Sequence, residues 1–409
     1  MARTFDVHMD PVRGPKRILS LAGGGVRGLL TLGILARLEE IYQQRSGNPD
    51  GRLSDYYDLV AGTSTGSIIA TGLALGWKVS DIKGLYDELC PILFKPNRRL
   101  GVFKPRFEAE PLIEKLQQHL GDQTLGSPEL RTGLLVCAKR IDTDSAWLLN
   151  NHPGGKYYDV VEANQTWHPN KDFRLRDIVR ASAAAPSFLE PVEIEVAPKT
   201  EVYDAEVGVF VDGAISGHNC PAFAALQIAT LKPYGFNWNT GENNLSVLSL
   251  GTGQYREKHT RSEFLDKNTV GQAISALKGM INESQRNTIL TMQALSESPK
   301  AWYLNSEIGG LEGVTLSDAP MFKFRHIDVE IERSDEMRDR LRVGDLSGKK
   351  MDKIIDGMRD MANGRKKNLD FCYRLGVSVG NELGEADFFF DTATPPAPAA
   401  EPVPEAPTA

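Results

Sequence analysis

The chain has 409 residues, of which 41% are hydrophobic and 25% charged, and its formal net charge is −7. This composition is typical of a globular protein, and the negative charge does not favour binding to nucleic-acid polymers or anionic lipid through the bulk field. The sequence has no apolar leader, no run of about eighteen apolar residues and no C-x-x-C pair among its four cysteines, so we expect a cytoplasmic protein without signal peptide, membrane span, disulfide framework or metal site.

A glycine cluster follows the first predicted strand. Residues 1–15 form a polar, proline-containing leader, and the core begins with a short buried strand over residues 16–22. This strand runs into Gly23-Gly24-Gly25-Val26-Arg27-Gly28 and then into an amphipathic helix with leucines at helical spacing. Bare backbone N–H groups at a helix N-terminus form an anion site. We therefore predict an oxyanion hole here, with the N–H groups of Gly24, Gly25 and Val26 as donors.

The same cluster has a second interpretation, as a dinucleotide-binding loop. The spacing Gly23-x-Gly25-x-x-Gly28 matches that fingerprint, and it stands between a strand and a helix as the fingerprint requires. Such a site also needs a second strand that ends in an acid about twenty residues further on. Residues 45–51 form a turn, without a strand before Asp50, and the next strand leads to Ser64 instead. The sequence therefore disfavours a nucleotide site.

The pentapeptide Gly62-Thr63-Ser64-Thr65-Gly66 is the strongest catalytic motif in the chain. It comes directly after the apolar run 57–61 and directly before a predicted helix over residues 67–75. A sharp strand-to-helix turn exposes a serine hydroxyl, and glycines on both sides let strand and helix approach closely. The positive end of the helix then points at the site. We predict that Ser64 is a nucleophile.

Residues 94–107 interleave aromatic side chains with five basic ones. Such a mixture is compatible with docking at a bilayer interface or with a lid over an active site. A solvated loop with buried aromatics explains the same pattern equally well.

Apolar runs and helical periodicity predict the remaining elements in turn. They are a helix over 106–120, strands over 132–138 and 147–150, helices over 222–232 and 268–295, strands over 301–304 and 321–329, and helices over 351–361 and 369–382. Residues 392–409 are rich in proline, alanine and glutamate, so we expect a disordered tail over about 389–409.

Asp212 is the candidate partner of the nucleophile. It ends the apolar run Val209-Phe210-Val211 and is followed by Gly213 and Ala214. As a general base it would take the Ser64 proton in a two-residue dyad. A Ser-His-Asp triad is the alternative, in which His218 or His326 would follow Asp212 in the chain. Nothing next to either histidine marks it as catalytic, so residue-level reasoning leaves dyad and triad open.

Together these segments resemble the patatin-like phospholipase family. The glycine cluster resembles its oxyanion loop, with Arg27 at the family's arginine position, the pentapeptide around Ser64 resembles its nucleophile elbow, and Asp212-Gly213-Ala214 resembles its acid motif. Residues 180–186 and 248–253 resemble two softer blocks, so order and spacing agree over about residues 16–255. The departures are small: Gly-Ala replaces the commoner Gly-Gly, and Asn219-Cys220-Pro221 stands where several members have Asn-Pro.

The resemblance implies a Ser-Asp dyad without histidine that hydrolyses fatty acyl esters without a cofactor or metal. It implies an α/β fold, a three-layer α/β/α sandwich around a mainly parallel sheet. We expect one catalytic domain over 16–388, with the motifs in 16–255 and additional helices and strands in 256–388. The expected partner is a membrane lipid or another acyl ester, reached by peripheral membrane contact, and not a nucleic-acid polymer.

A second function class stays open. The same fold could serve a ligand-gated effector, such as a nucleotide-activated defence or toxin phospholipase, or a regulatory scaffold. The presence of Ser64, Asp212 and the glycine cluster favours a working enzyme, since a scaffold has no need of the nucleophile.

Overall fold

The computed structural model describes residues 3–95, 106–159, 167–200, 204–256, 260–311, 313–332, 334–344, 346 and 348–388. Within these residues eight strands form one mixed sheet. The strands are β1 (Lys16–Leu21), β2 (Leu59–Thr63), β3 (Gly133–Arg140), β4 (Ser145–Asn150), β5 (Val192–Ala197), β6 (Glu206–Asp212), β7 (Leu245–Leu250) and β8 (Lys323–Ile327).

Helices precede, connect and follow the strands. They are α1 (Phe5–Met9), α2 (Gly28–Ser46), α3 (Thr65–Ala74), α4 (Val79–Leu93), α5 (Glu110–Leu120), α6 (Leu175–Ser182), α7 (Ala222–Thr230), α8 (Arg261–Leu265), α9 (Thr269–Ala294), α10 (Asp335–Leu341), α11 (Gly348–Arg359), α12 (Lys366–Asn381) and α13 (Glu385–Phe388). Among the described residues, no helix is both long enough and apolar enough to cross a bilayer.

The centre of the sheet is parallel. Strands β3, β2, β1, β7 and β8 lie side by side in that order, and each neighbouring pair runs in the same direction. The antiparallel part lies at one end, where β4 and β6 pair with β3 and β5 pairs with β6. The expected mainly parallel sheet is therefore confirmed.

Two hydrophobic cores cover the two faces of this sheet. Successive side chains of a strand point to opposite faces. In β1, Leu19 and Leu21 pack into one core together with leucines of α2, whereas Ile18 packs into the other core together with alanines of α7. The chain is thus an α/β/α sandwich, as expected.

Strands β2 and β6 share one edge of β3. On its other edge β3 pairs with β4 from Leu135 to Arg140. On the shared edge, the last residue of β2, Thr63, pairs with Cys137. The last residue of the antiparallel strand β6, Asp212, pairs with the next residue of β3, Ala138. The C-terminal ends of β2 and β6 therefore meet at consecutive residues of β3.

One predicted strand does not form, and one predicted helix begins later than expected. Residues 301–304, predicted as a strand, form none, because the backbone N–H and carbonyl of Trp302 bond to the side chain of Gln293 at 2.7 and 3.1 Å instead of to a strand. The helix predicted from residue 106 begins at Glu110, because the N–H groups of Arg106 and Phe107 donate to the carbonyls of residues 187 and 188.

The segment predicted to be a polar leader contains helix α1. Its His8 and Met9 are buried. Nδ1 of His8 lies 2.8 Å from the carboxylate of Asp58, which also accepts a hydrogen bond from Arg3 at 2.9 Å. These contacts attach α1 to the chain just before β2.

Candidate active site

Ser64 occupies a strained turn between β2 and α3. Its φ is 55° and its ψ is −130°, a conformation that costs a non-glycine residue about 1–3 kcal/mol. The Ser64 N–H donates to Oγ of Ser182 at 2.9 Å, and that hydroxyl donates to the carbonyl of Cys137 at 2.6 Å. Ser182 thus ties the turn to β3. Sequence reasoning placed Ser182 in a block of small residues but assigned it no role.

Gly62 and Gly66 permit close approach of backbone around this turn. A Cβ on Gly66 would lie 2.3 Å from the carbonyl oxygen of Leu21, and a Cβ on Gly62 would lie 2.3 Å from the carbonyl oxygen of Gly66. Neither position has room for a side chain. The two glycines therefore let α3 start directly against β1 and β2.

Asp212 ends β6 beside the serine. The residue is 2% exposed, and its carboxylate accepts a hydrogen bond from the N–H of Ala214 at 2.9 Å. Burial raises the pKa of Asp212 to about 6, although the Ala214 N–H and the nearby Ser64 side chain act in the opposite direction. A Cβ on Gly213 would lie 2.4 Å from the carbonyl oxygen of Cys137, so the acid must be followed by glycine. The carboxylate is therefore a stronger base than an ordinary aspartate.

Neither candidate histidine lies at this pair. The His218 carbonyl accepts a hydrogen bond from Oγ1 of Thr63 at 2.5 Å, and burial lowers the pKa of its imidazole. His326 lies on β8, where its Nδ1 is 3.1 Å from Oγ of Ser249. Among the described residues that line the cavity around Ser64 there is no histidine.

Backbone hydrogen bonds narrow the choice of oxyanion donors. Gly23 donates to the carbonyl of Asn219, Arg27 to that of Gly24, Gly28 to those of Gly25 and Val26, and Val26 to that of Met361 at 2.9 Å. The N–H of Val26 is therefore already hydrogen-bonded in this structure, which disfavours the prediction that it is a donor. No sequence pattern indicates this contact, because Met361 lies far along the chain from Val26.

Two N–H groups of the loop remain candidates. The N–H of Gly24 makes a long 3.2 Å bond to Oγ1 of Thr65, and that of Gly25 donates to no acceptor in the described part of the chain. Gly25 has a φ of +59°, and a Cβ there would lie 2.2 Å from the carbonyl oxygen of Met361. Only glycine fits this position.

Arg27 is a buried residue and not a surface arginine. One terminal nitrogen donates to the carbonyl of Gly253 at 3.1 Å, and the guanidinium lies 5.7 Å from the centre of the Tyr255 ring. The side chain therefore links the glycine cluster to the segment after β7.

One cavity of about 590 Å³ joins these groups. The predicted site residues that line it are Gly23, Gly24, Gly25, Arg27, Ser64, Asp212 and Ala214. The others, Val26, Gly28, Gly62, Gly66 and Gly213, are absent from its wall. Its apolar lining comes from several helices and loops, with Ile68, Leu93, Phe94, Leu112, Phe188, Leu189, Ile274, Leu277 and Ile281. A cavity of this size and character accepts an apolar ligand.

The aromatic and basic segment 94–107 lies mostly outside the described residues. At its described ends, the ring centres of Phe94 and Phe107 are 5.4 Å apart, and Phe107 stacks on Phe188 at 6.0 Å. Phe107 is buried, and Phe94 and Phe188 line the cavity. Both described aromatics of the segment therefore belong to the protein interior or to the cavity wall.

The family model and the curated relatives that match this chain agree with each other. Residues 19–226 match the family model described as patatin-like phospholipase. The chain is 28% identical over 261 residues to Patatin-07 of Solanum tuberosum, covering 60% of this chain and 63% of that protein.

Two bacterial proteins named cGAMP-activated phospholipase also match. The one from Vibrio cholerae is 27% identical over 53% of this chain and 59% of its own length, and the one from Escherichia coli is 25% identical over 58% and 62%. The chain thus spans about three fifths of the length of the curated relatives it matches. The family match ends within α7, so β7, β8 and every helix from α8 onward lie beyond it.

Proposed function

Since the chain belongs to the patatin-like phospholipase family, we propose that it is a lipid acyl hydrolase of the phospholipase A type. Ser64 is the nucleophile and Asp212 the general base. The observation that carries this proposal is that Ser64 and Asp212 line the same cavity, where the carboxylate is buried and its pKa is raised to about 6.

Acylation begins when the Ser64 hydroxyl attacks the ester carbonyl carbon. Asp212 takes the hydroxyl proton, and the electron pair of the carbonyl bond moves onto its oxygen. That oxygen faces the N–H groups of Gly24 and Gly25, of which each lost donor typically costs about 3 kcal/mol of barrier height. The tetrahedral intermediate then collapses, the bond to the alcohol oxygen breaks, and the protonated Asp212 returns the proton to the leaving alcohol.

Deacylation uses the same groups in the same order. A water molecule attacks the acyl-serine carbonyl while Asp212 takes its proton. The second intermediate collapses, the fatty acid leaves, and Ser64 recovers its proton from Asp212. A carboxylate is a weaker base than an imidazole, and a general base works best when its pKa lies near the working pH. The raised pKa of Asp212 is closer to neutral pH than that of an ordinary aspartate.

The substrate class follows from the cavity wall. Its apolar side chains fit a fatty acyl chain, so the proposed substrate is a membrane phospholipid or another long-chain acyl ester. The protein would meet it by peripheral contact from the cytoplasm. The dyad itself requires neither cofactor nor metal.

Release of free fatty acid from mixed phospholipid vesicles tests the proposal. We expect the wild type to release fatty acid and Ser64→Ala and Asp212→Asn to lose at least about a thousandfold in rate. Ser46→Ala, an exposed serine at the end of α2, is the control and should match the wild type. A fluorophosphonate should label the wild type and not Ser64→Ala; an active Ser64→Ala would exclude this nucleophile.

A ligand-gated enzyme is the second candidate, because two of the matching relatives are named cGAMP-activated phospholipases. In that case the vesicle assay gives little release until cGAMP is added. Full activity without the nucleotide excludes obligatory gating. Absence of both labelling and release, with and without cGAMP, would favour a regulatory scaffold.

A further inference from the structure

Three consecutive residues after β7 hold the glycine cluster and the start of α2. The hydroxyl of Thr252 donates to the carbonyl of Gly23 at 3.0 Å, and Arg27 donates to the carbonyl of Gly253 at 3.1 Å. The hydroxyl of Thr31, in the first turn of α2, donates to the carbonyl of Gly251 at 2.8 Å. The position of the glycine cluster therefore depends on the position of residues 251–253, which we call the β7 turn.

Asp328 fixes the β7 turn in place. It follows the last residue of β8 and is 7% exposed. Its Oδ1 accepts hydrogen bonds from the N–H groups of Gly253 at 2.7 Å and Val329 at 2.9 Å. A Cβ on Gly251 would lie 2.1 Å from the Asp328 carboxyl group, so the turn packs directly on this side chain.

We propose that Asp328 is a positioning residue for the oxyanion hole. It does not line the cavity, and it acts through the β7 turn on Gly23 and Arg27. This inference rests on the proposed function, since it concerns the donors of the same reaction. Oxyanion donors act only when they are held in place before the reaction, and a misplacement of 1 Å can cost about a hundredfold in rate.

The chemistry of the contact suits this role. A hydrogen bond to a carboxylate is shorter and stronger than one between neutral groups, so it holds a glycine turn with φ of +91° at Gly253 more firmly than an amide or hydroxyl would. The Oδ2 of Asp328 is buried without a hydrogen-bond partner in the described chain, 3.8 Å from Nε2 of His326. The carboxylate is thus kept in the interior although only one of its oxygens is hydrogen-bonded.

Steady-state kinetics on p-nitrophenyl butyrate test the inference with the full chain. We expect Asp328→Ala to lower kcat at least about tenfold and to leave KM within about twofold, because the lost interaction belongs to the transition state. Asp328→Asn keeps an oxygen in the same place and should retain kcat within about threefold of the wild type. Asp328→Glu keeps the charge but displaces it, so its kcat should fall below that of Asp328→Asn.

Asp387→Ala is the matched control, because it also removes a buried carboxylate. Asp387 is also 7% exposed and also accepts a glycine N–H, that of Gly384 at 3.1 Å, but it lies away from the cavity. Its loss should lower the melting temperature and leave kcat unchanged. An equal fall of kcat in both alanine variants, or an unchanged kcat in Asp328→Ala, overturns the inference. If Asp328→Ala does not fold, the order of Asp328→Asn and Asp328→Glu decides.

A double-mutant cycle separates this inference from the proposed function. Thr252→Val removes the bond to Gly23, so its effect on kcat and that of Asp328→Ala should be less than additive if both act through the β7 turn. Additive effects contradict the coupling. A wild type that neither turns over ester nor reacts with fluorophosphonate contradicts the proposed function instead.

Discussion

At the scale of single residues, the glycine cluster and the motifs around Ser64 and Asp212 could be located in the sequence because each is short and local. The contacts that hold these motifs in place could not. Ser182 bonds to Ser64, and Met361 occupies the N–H of Val26, through contacts between segments distant along the chain. No periodicity or spacing encodes such contacts, so only the structure could reduce the number of candidate oxyanion donors.

Asp212→Asn should stabilise the protein at neutral pH. The folded-state pKa of about 6 lies above the usual 3.8, so the folded state binds the proton more tightly than the unfolded state. Wild-type stability therefore falls as pH rises from about 4 to 6, and the loss persists above. A shift of about two pKa units corresponds to about 3 kcal/mol, which the asparagine variant should recover at pH 8 but not at pH 4.

Urea denaturation at the two pH values measures this difference. The exposed Asp335→Asn serves as the control and should show no comparable change between pH 4 and 8. An asparagine variant that is equally destabilised at both pH values would mean that burial of the Asp212 charge carries no cost.

At the scale of elements, the central strands were predictable because parallel strands buried on both faces read as continuous apolar runs. β2 and β3 show this pattern, whereas β1 and β7 are interrupted by polar residues although they are almost fully buried. β5, at the antiparallel end, was missed, although its alternation of valine and isoleucine with glutamate is typical of a half-exposed strand. At 301–304 a strand was predicted where none forms. A short apolar run can also pack against a helix, as this one does against α9.

Gly66→Ala should disrupt the junction of β1, β2 and α3. The added methyl group would lie 2.3 Å from the Leu21 carbonyl oxygen, and backbone cannot yield as a flexible side chain can. We expect a loss of about 3 kcal/mol or more in the free energy of unfolding, together with loss of Ser64 labelling by fluorophosphonate.

Gly84→Ala is the matched control in the interior of α4. No atom lies within 4 Å of a Cβ at that position. Alanine should therefore stabilise the helix by about 0.5–1 kcal/mol. If both substitutions change the free energy of unfolding equally in urea denaturation, the close backbone approach at Gly66 does not determine stability.

At the scale of the whole molecule, the part that matches the family is not a structural unit. β1 lies in the middle of the sheet, and six of its residues pair with β7, which is outside residues 19–226. α12 packs against α2 so closely that a Cβ on Gly376 would lie 2.0 Å from the carbonyl oxygen of Leu30. The later half of the chain therefore completes both the sheet and one core.

A fragment of residues 1–226 should consequently fail to fold. It would expose one edge of β1 and the face of α2 that α12 covers. We expect no cooperative thermal transition by circular dichroism, whereas residues 1–388 should melt within about 2 °C of the full chain because they retain every described element. A cooperative transition in the short fragment would show that the matched segment is an autonomous domain.

The shared edge of β3 makes the distance between Ser64 and Asp212 independent of most of the chain that separates them. Ser64 and Asp212 are set by the ends of two strands that abut at Cys137 and Ala138. Loops between them can therefore lengthen or shorten without changing this spacing. A single residue inserted into β3 between those two positions would move the ends apart by about 3.3 Å and turn the following side chains to the opposite face. The loops should therefore accept insertions and deletions. An insertion between Cys137 and Ala138 should not be accepted, although β3 contributes no residue to the proposed dyad.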